Sequence, residues 1–225
     1  MELLSAHNLS HSFDFMIYEG LNLTLNAGEK IAIVGVSGSG KSTILNNLST
    51  MLAPKSGVVN ILESHNIYAL KAQELLHIRR YQLGIIFQAH YLFRGFDVRE
   101  NLELASIVSN QPIDMELLEH FEIAHTLKQQ IGELSGGQQQ RLSIARVLSK
   151  KPKIIFADEP TGNLDSQTAH KVMECVFEYV ATHNAGIIIA THDMHIAQMC
   201  DRIYKLENHH LHANIGLATE SRTRS

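Results

Sequence analysis

Residues 35–42, Gly-Val-Ser-Gly-Ser-Gly-Lys-Ser, have the residue types a polyphosphate cradle needs. Backbone N–H groups must wrap such an anion. Gly38 and Gly40 let the chain approach it with no Cβ in the way. The apolar run Ile31–Val34 precedes the glycines and a helical run, Thr43–Leu52, follows them. That strand–loop–helix setting is the context the GxxxxGK[ST] pattern requires. The helix adds the positive end of its dipole. Gly35, Val36, Ser37, Gly38, Ser39, Gly40, Lys41, Ser42 and Thr43 are therefore the candidate nucleotide-binding residues. Lys41 suits the β- and γ-phosphates, and the Ser42 hydroxyl suits Mg²⁺.

A second chemical segment is Ile154-Ile-Phe-Ala-Asp-Glu159. An apolar strand ending in Asp158 presents a carboxylate that can hold Mg²⁺ through a water. Glu159, one residue on, faces the phosphates from another angle and is the candidate base for an attacking water. Alone, an Asp-Glu pair after a strand reads as a surface ion pair; beside a phosphate loop the catalytic reading is favoured.

These residues need a scaffold. Ile31–Val34, Ile154–Ala157 and Gly186–Ala190 are continuous apolar runs, as in parallel strands buried on both faces, and each ends in polar residues. Alternating β-rich and helical runs indicate an α/β fold. From about residue 91 to 150 the pattern turns helical. Val98–Val108 and Met115–Ile123 carry apolar residues three and four apart, and 138–150 forms a third helix. A helical lobe inserted in an α/β core is the simplest account.

Leu134-Ser-Gly-Gly-Gln138, followed by Gln-Gln-Arg141, separates this chain from kinases and other phosphate-loop proteins. It resembles the LSGGQ signature of the ATP-binding cassette (ABC) ATPases. Ser135, Gly136 and Gly137 open a predicted helix whose N–H groups make a second anion site, with Gln138 beside them. An N-cap serine alone does not explain two glycines.

Other motifs resemble the same family in order. Gln88 resembles the Q-loop glutamine that contacts Mg²⁺ and water. Gly162-Asn-Leu-Asp165 resembles the D-loop, and His192 resembles the switch histidine at the γ-phosphate. Phe13 resembles the aromatic that stacks on adenine, with Phe15 and Tyr18 as near competitors. The metal set implied is Ser42, Gln88 and Asp158; the catalytic pair is Glu159 and His192.

The resemblance covers about residues 2–212. It implies a P-loop core with a mostly parallel sheet, an antiparallel β subdomain at the N-terminus and the inserted helical lobe. Activity would be ATP hydrolysis with Mg²⁺. Two copies would close head to tail on two ATPs, each held by one P-loop and the opposite signature, Ser135–Gln138. Ala157–Asp165 looks like the version in lipoprotein-release, macrolide-export and cell-division ATPases. Lipoprotein release or a related exporter is the first reading, and a cell-division ATPase or a soluble ABC ATPase the alternative. A small-molecule kinase leaves Leu134–Gln138 unexplained.

Composition agrees with this. The 225 residues, 44% hydrophobic and 19% charged, suit one globular domain. A net charge of −4 gives no electrostatic reason to expect a nucleic-acid partner. No run approaches the roughly 18 to 20 apolar residues of a membrane span, and no secretory signal is read. Any membrane role then passes through a partner; the resemblance implies an integral permease-type subunit and a place at the cytoplasmic face of the cell membrane. Residues 88–93 lie at the core–lobe junction and suit such a partner, or else form lobe core. Cys175 and Cys200 read as reduced core thiols. His209, His210 and His212 lie near the end, where open tails rarely supply metal geometry. The domain is expected over 1–213, with a flexible tail over 214–225.

Overall fold

The computed structural model describes residues 1–162 and 164–213; the expected tail lies outside the described residues. Two sheets and a helical lobe make up the architecture. Strands β1 (Glu2–Ser12), β2 (Met16–Asn26) and β4 (Ser56–Ile61) form an antiparallel sheet in the order β2-β1-β4. The second sheet runs β5-β6-β7-β3-β8-β9. Its strands are β3 (Lys30–Val34), β5 (Leu83–Ile86), β6 (Ile154–Asp158), β7 (Gly186–Thr191), β8 (Arg202–Glu207) and β9 (His210–Ala213). All neighbours pair in parallel except β8–β9, which form a hairpin.

The three apolar runs become the central strands because both faces are covered. Ile31, Ile33, Ile154, Phe156, Ile187, Ile188 and Ile189 are essentially inaccessible to water. Burial of each such side chain contributes about 1.5–3 kcal/mol. The antiparallel sheet crosses close to the parallel one. A Cβ on Gly186 would sit 2.8 Å from the Leu25 side chain, so bare backbone is needed there.

Helix α1 (Lys41–Leu48) follows β3, and α2 (Ala72–Tyr81) precedes β5. The lobe carries α3 (Val98–Ser109), α4 (Met115–His120) and the start of α5 (Gly136–Leu148). Among the described residues no strand interrupts it, although Asp97 and Gln130 make an isolated bridge. Asp97 and Asp114 cap α3 and α4 by accepting from the N–H of Glu100 and Leu117. The C-terminal half of α5 belongs to the core, where Val147 lies against Gly84 and Lys150 donates to the Leu83 carbonyl. Two helices stop short of their apolar patterns: α1 ends before Thr50 (φ 72°) and α4 before Glu122 (φ 54°). Those left-handed residues break the helical path.

Helices α6 (Ser166–Thr182) and α7 (Met194–Gln198) complete the core. Both thiols are free and only partly buried, packed at the edge of the core rather than inside it. Burial pushes the Cys200 thiol up to about 12 and raises that of Cys175 as well. Among the described residues no helix is long and apolar enough to cross a membrane. His209 faces the Ile17 carbonyl at 3.2 Å and His210 pairs with Glu19 at 3.6 Å, tying the β8–β9 hairpin to β2.

Candidate nucleotide site

Parallel register brings the chemistry to one edge. Val34 pairs with Thr191, and Asp158 with Ala190, so β3, β7 and β6 end side by side. The strand ends release the glycine loop, Thr191–His192 and Asp158–Glu159 at the carboxyl edge, where open α/β sheets bind ligands.

The loop from Gly35 to Gly40 turns tightly into α1, closed by the Ser39 N–H on the Val36 carbonyl at 3.2 Å. Gly40 caps the helix with φ 108°, and a Cβ there would lie 2.3 Å from Ile17 Cγ2. Only glycine fits that position. Val36, Ser37 and Gly38 are exposed at the loop's crest, while Lys41 is buried at its base. The Lys41 ammonium donates to the carbonyls of Gly35 (2.8 Å) and Val36 (3.1 Å), inside the loop. The buried Ser39 hydroxyl has no partner among the described residues. A cationic head, an orphan hydroxyl and the N-terminus of α1 together make an anion cradle.

Ser42 lies at the mouth of α1 and Thr43 beside it. Burial raises the Asp158 carboxyl above its ordinary value. The hydrogen bond with Ser42 opposes this most, Glu159 adds to it, and Lys41 opposes it. A hydroxyl and a carboxylate in contact beside a phosphate cradle are hard oxygen donors of the kind Mg²⁺ takes. The residues present therefore fit that ion.

Glu159 adopts φ 45°, a left-handed conformation uncommon for a glutamate. Its N–H donates to the Ala190 carbonyl, and its own carbonyl accepts from the Gly162 N–H. This turn aims the carboxylate at the end of β7. Glu159 Oε1 accepts from the His192 N–H at 3.1 Å and lies 2.9 Å from His192 Nδ1; Oε2 accepts from the Thr191 hydroxyl at 3.2 Å. An ionised carboxylate only accepts, so the imidazole carries a proton on Nδ1 in this contact. The Glu159 side chain is 16% exposed and that of His192 72%.

Gln88 follows β5 and is exposed, its amide nitrogen 3.3 Å from where a Cβ on Gly162 would sit. The signature begins α5 as expected. Ser135 is the N-cap, accepting from the Gln138 N–H at 3.2 Å, while the Gln138 side chain accepts from the Ser135 N–H at 2.8 Å. Gly136 and Gly137 form the first turn. Leu164 reaches the signature, 3.5 Å from a Cβ placed on Gly137, and Asp165 caps α6.

Of the three aromatics weighed for adenine, Tyr18 is ruled out by burial: it is inaccessible and its hydroxyl donates to Asn47 at 2.7 Å. Phe13 and Phe15 are both exposed in the β1–β2 turn, at 59% and 68%. Sequence reasoning missed Thr191, whose hydroxyl braces Glu159; a threonine ending a buried strand was its only signal. Tyr91 and Phe93 are exposed, whereas Leu92 packs on the lobe core. The lobe-core reading thus holds for Leu92 and not for Tyr91 or Phe93.

A phosphate loop and an acidic pair at the carboxyl edge of a parallel sheet, with a capped diglycine helix start in an inserted lobe, define a cassette-type nucleoside triphosphatase. Residues 18–162 match the ABC transporter family, and the chain belongs to it. It is 37% identical over 220 residues to the lipoprotein-releasing system ATP-binding protein LolD of Pseudomonas fluorescens, covering 93% of this chain and 96% of that one. To the protein of the same name in Rickettsia felis it is 40% identical over 211 residues, covering 91% and 93%. The fold matches the dimeric post-hydrolysis cassette MJ0796 bound to ADP and Pi with a TM-score of 0.84 and 31% identity, covering 93% and 96%. CbiO1 of Clostridium perfringens, part of the transporter complex cbiONQ, matches with a TM-score of 0.81 and 27% identity, covering 93% and 86%. The chain is an ATP-binding and ATP-hydrolysing subunit of an ABC transporter.

Proposed function

We propose that this subunit powers lipoprotein release from the cell membrane, working at the cytoplasmic face through an integral membrane partner. The observation that carries this reading is similarity of 36–40% over about nine-tenths of the chain to proteins named as lipoprotein-releasing ATPases. The exposed Tyr91 and Phe93 beside Gln88 supply an apolar surface at the core–lobe junction for that partner.

ATP is the substrate, held by residues 35–43, with Phe13 against adenine. Mg²⁺ would be held by Ser42, Asp158 and Gln88 and would offset phosphate charge. Glu159 accepts the proton of the attacking water, and His192 and Thr191 hold its carboxylate in place. His192, largely exposed, has its Nε2 left for the γ-phosphate side. Ser135, Gly136, Gly137 and Gln138 close on the ATP of a second copy, so nucleotide supplies much of the dimer interface. The dimeric state of MJ0796 supports this arrangement.

Affinity capture of Glu159→Gln from detergent-solubilised membranes with ATP tests the reading. A multi-spanning protein with a large periplasmic domain that binds lipoprotein is expected. A soluble dimer without any membrane protein would contradict it.

A further inference from the structure

His11, at the end of β1, takes no part in the phosphate chemistry yet is 2% exposed and lies directly against the exposed Phe13. Their ring centroids are 4.8 Å apart with planes inclined at 68°, an edge-to-face pair. Beneath the imidazole lies Asn47, wholly buried on the helix that opens with Lys41. Asn47 Nδ2 donates to the Leu52 carbonyl at 2.8 Å, which fixes the amide's orientation, and its Oδ1 accepts from Tyr18. The same Nδ2 faces His11 Nδ1 at 3.4 Å, so Nδ1 is the acceptor and the ring's proton is on Nε2. That Nε2 is buried with no hydrogen-bond partner among the described residues. A buried donor left unpaired is costly, so polar bonding alone does not account for a histidine here. The edge-to-face contact with Phe13 does.

We infer that His11 is a positioning residue for adenine: its ring sets the face of Phe13 and links it, through Asn47, to the phosphate-binding helix. The inference rests on Phe13 being the adenine platform. Burial, followed by the charge of Lys55, holds the imidazole below its ordinary value, in keeping with a neutral ring packed for shape. Because Asn47 Nδ2 keeps its bond to Leu52, a plain aromatic ring can replace the imidazole. The edge-to-face contact then survives without the nitrogens.

The test is the KM for ATP and kcat of the full chain, with the inhibition constant of tripolyphosphate, which has no base to stack. His11→Ala is expected to raise the KM for ATP about three- to tenfold, leaving kcat and tripolyphosphate inhibition unchanged, and His11→Phe to restore the KM. Phe13→Ala should raise the KM at least as much, and His11→Ala should add nothing to it. If His11→Ala does not fold, His11→Leu, which fills the space without a ring, replaces it. An unchanged KM in the His11 variant, with a raised KM in Phe13→Ala, overturns the inference and leaves the adenine platform standing. Equal weakening of ATP and tripolyphosphate also overturns it, as a merely structural role. An unchanged KM in Phe13→Ala removes the platform itself and the inference with it.

Discussion

The carboxylate of Glu159 and the imidazole of His192 meet at 2.9 Å, although they leave different strands and stand 33 residues apart. Two further bonds, from the His192 N–H and the Thr191 hydroxyl, fix the same carboxylate. The base is therefore held by β7 as firmly as by its own turn. Hydrogen bonds to charged groups contribute about 1.5–3 kcal/mol. His192→Ala is expected to lower kcat roughly 10- to 100-fold with the KM for ATP nearly unchanged, in steady-state assays of phosphate release. A fall in ATP affinity with kcat intact would place His192 in binding instead.

Gly40 is the tightest point of the phosphate loop. With φ 108° and Ile17 Cγ2 only 2.3 Å from where a Cβ would stand, Gly40→Ala must displace β2 or the loop. Strained left-handed residues alone cost on the order of 1–3 kcal/mol. Thermal melts should show a lower Tm, and ATP binding should be lost together with it. Gly38, with φ 76° but open space around it, should tolerate alanine better in the same melts.

Burial raises both thiols, Cys200 to about 12. Because the thiolate is the nucleophile, alkylation by iodoacetamide at neutral pH is expected to be slow in the folded chain and complete in guanidinium. The sign for stability follows. The folded thiol of Cys200 holds its proton above the unfolded value of roughly 8.5, so its contribution is intact below that value. It is lost as the pH rises through the range from there to about 12. Mass spectrometry after timed labelling checks the first expectation; Tm measured from about pH 7 to 10 checks the second.

Phe93 is 54% exposed and lies over the Arg146 guanidinium at 5.9 Å. Replacing this half-exposed ring removes little buried area and one exposed cation–π contact of about 0.5–1 kcal/mol, so Phe93→Glu should change stability by about 1 kcal/mol or less. Recovery of the membrane partner with the tagged variant is expected to fall sharply while the Tm holds. Full recovery would remove Phe93 from the docking surface.

The legible parts of the chain were those with one physical cause. The strands at Ile31–Val34, Ile154–Ala157 and Gly186–Ala190 agree with observed boundaries to within one residue, because strands buried on both faces leave unbroken apolar runs. The signature helix showed in Ser135 and its two glycines, since a cap is a local signal. What stayed hidden depends on distant partners. Strand β5 has four residues and includes Gly84, too short to register as a pattern. The antiparallel strands β1 and β2 pair with several register shifts, which interrupt their alternation. Tyr18 competes with Phe13 in the sequence alone; in the fold it packs into the core, and its hydroxyl donates to Asn47, 29 residues on. Nothing local in Asp158-Glu-Pro160 announces the left-handed Glu159, which is held by bonds to Ala190 and Gly162.

The measurement closest to the central claim is sedimentation of Glu159→Gln with and without ATP and Mg²⁺, alongside its rate of ATP hydrolysis. Loss of a catalytic base typically costs about 10²- to 10⁴-fold in rate. The account predicts hydrolysis reduced by that much, ATP still bound, and a monomer that becomes a dimer only with nucleotide. Hydrolysis near the wild-type rate, or a monomer at saturating ATP, would contradict it.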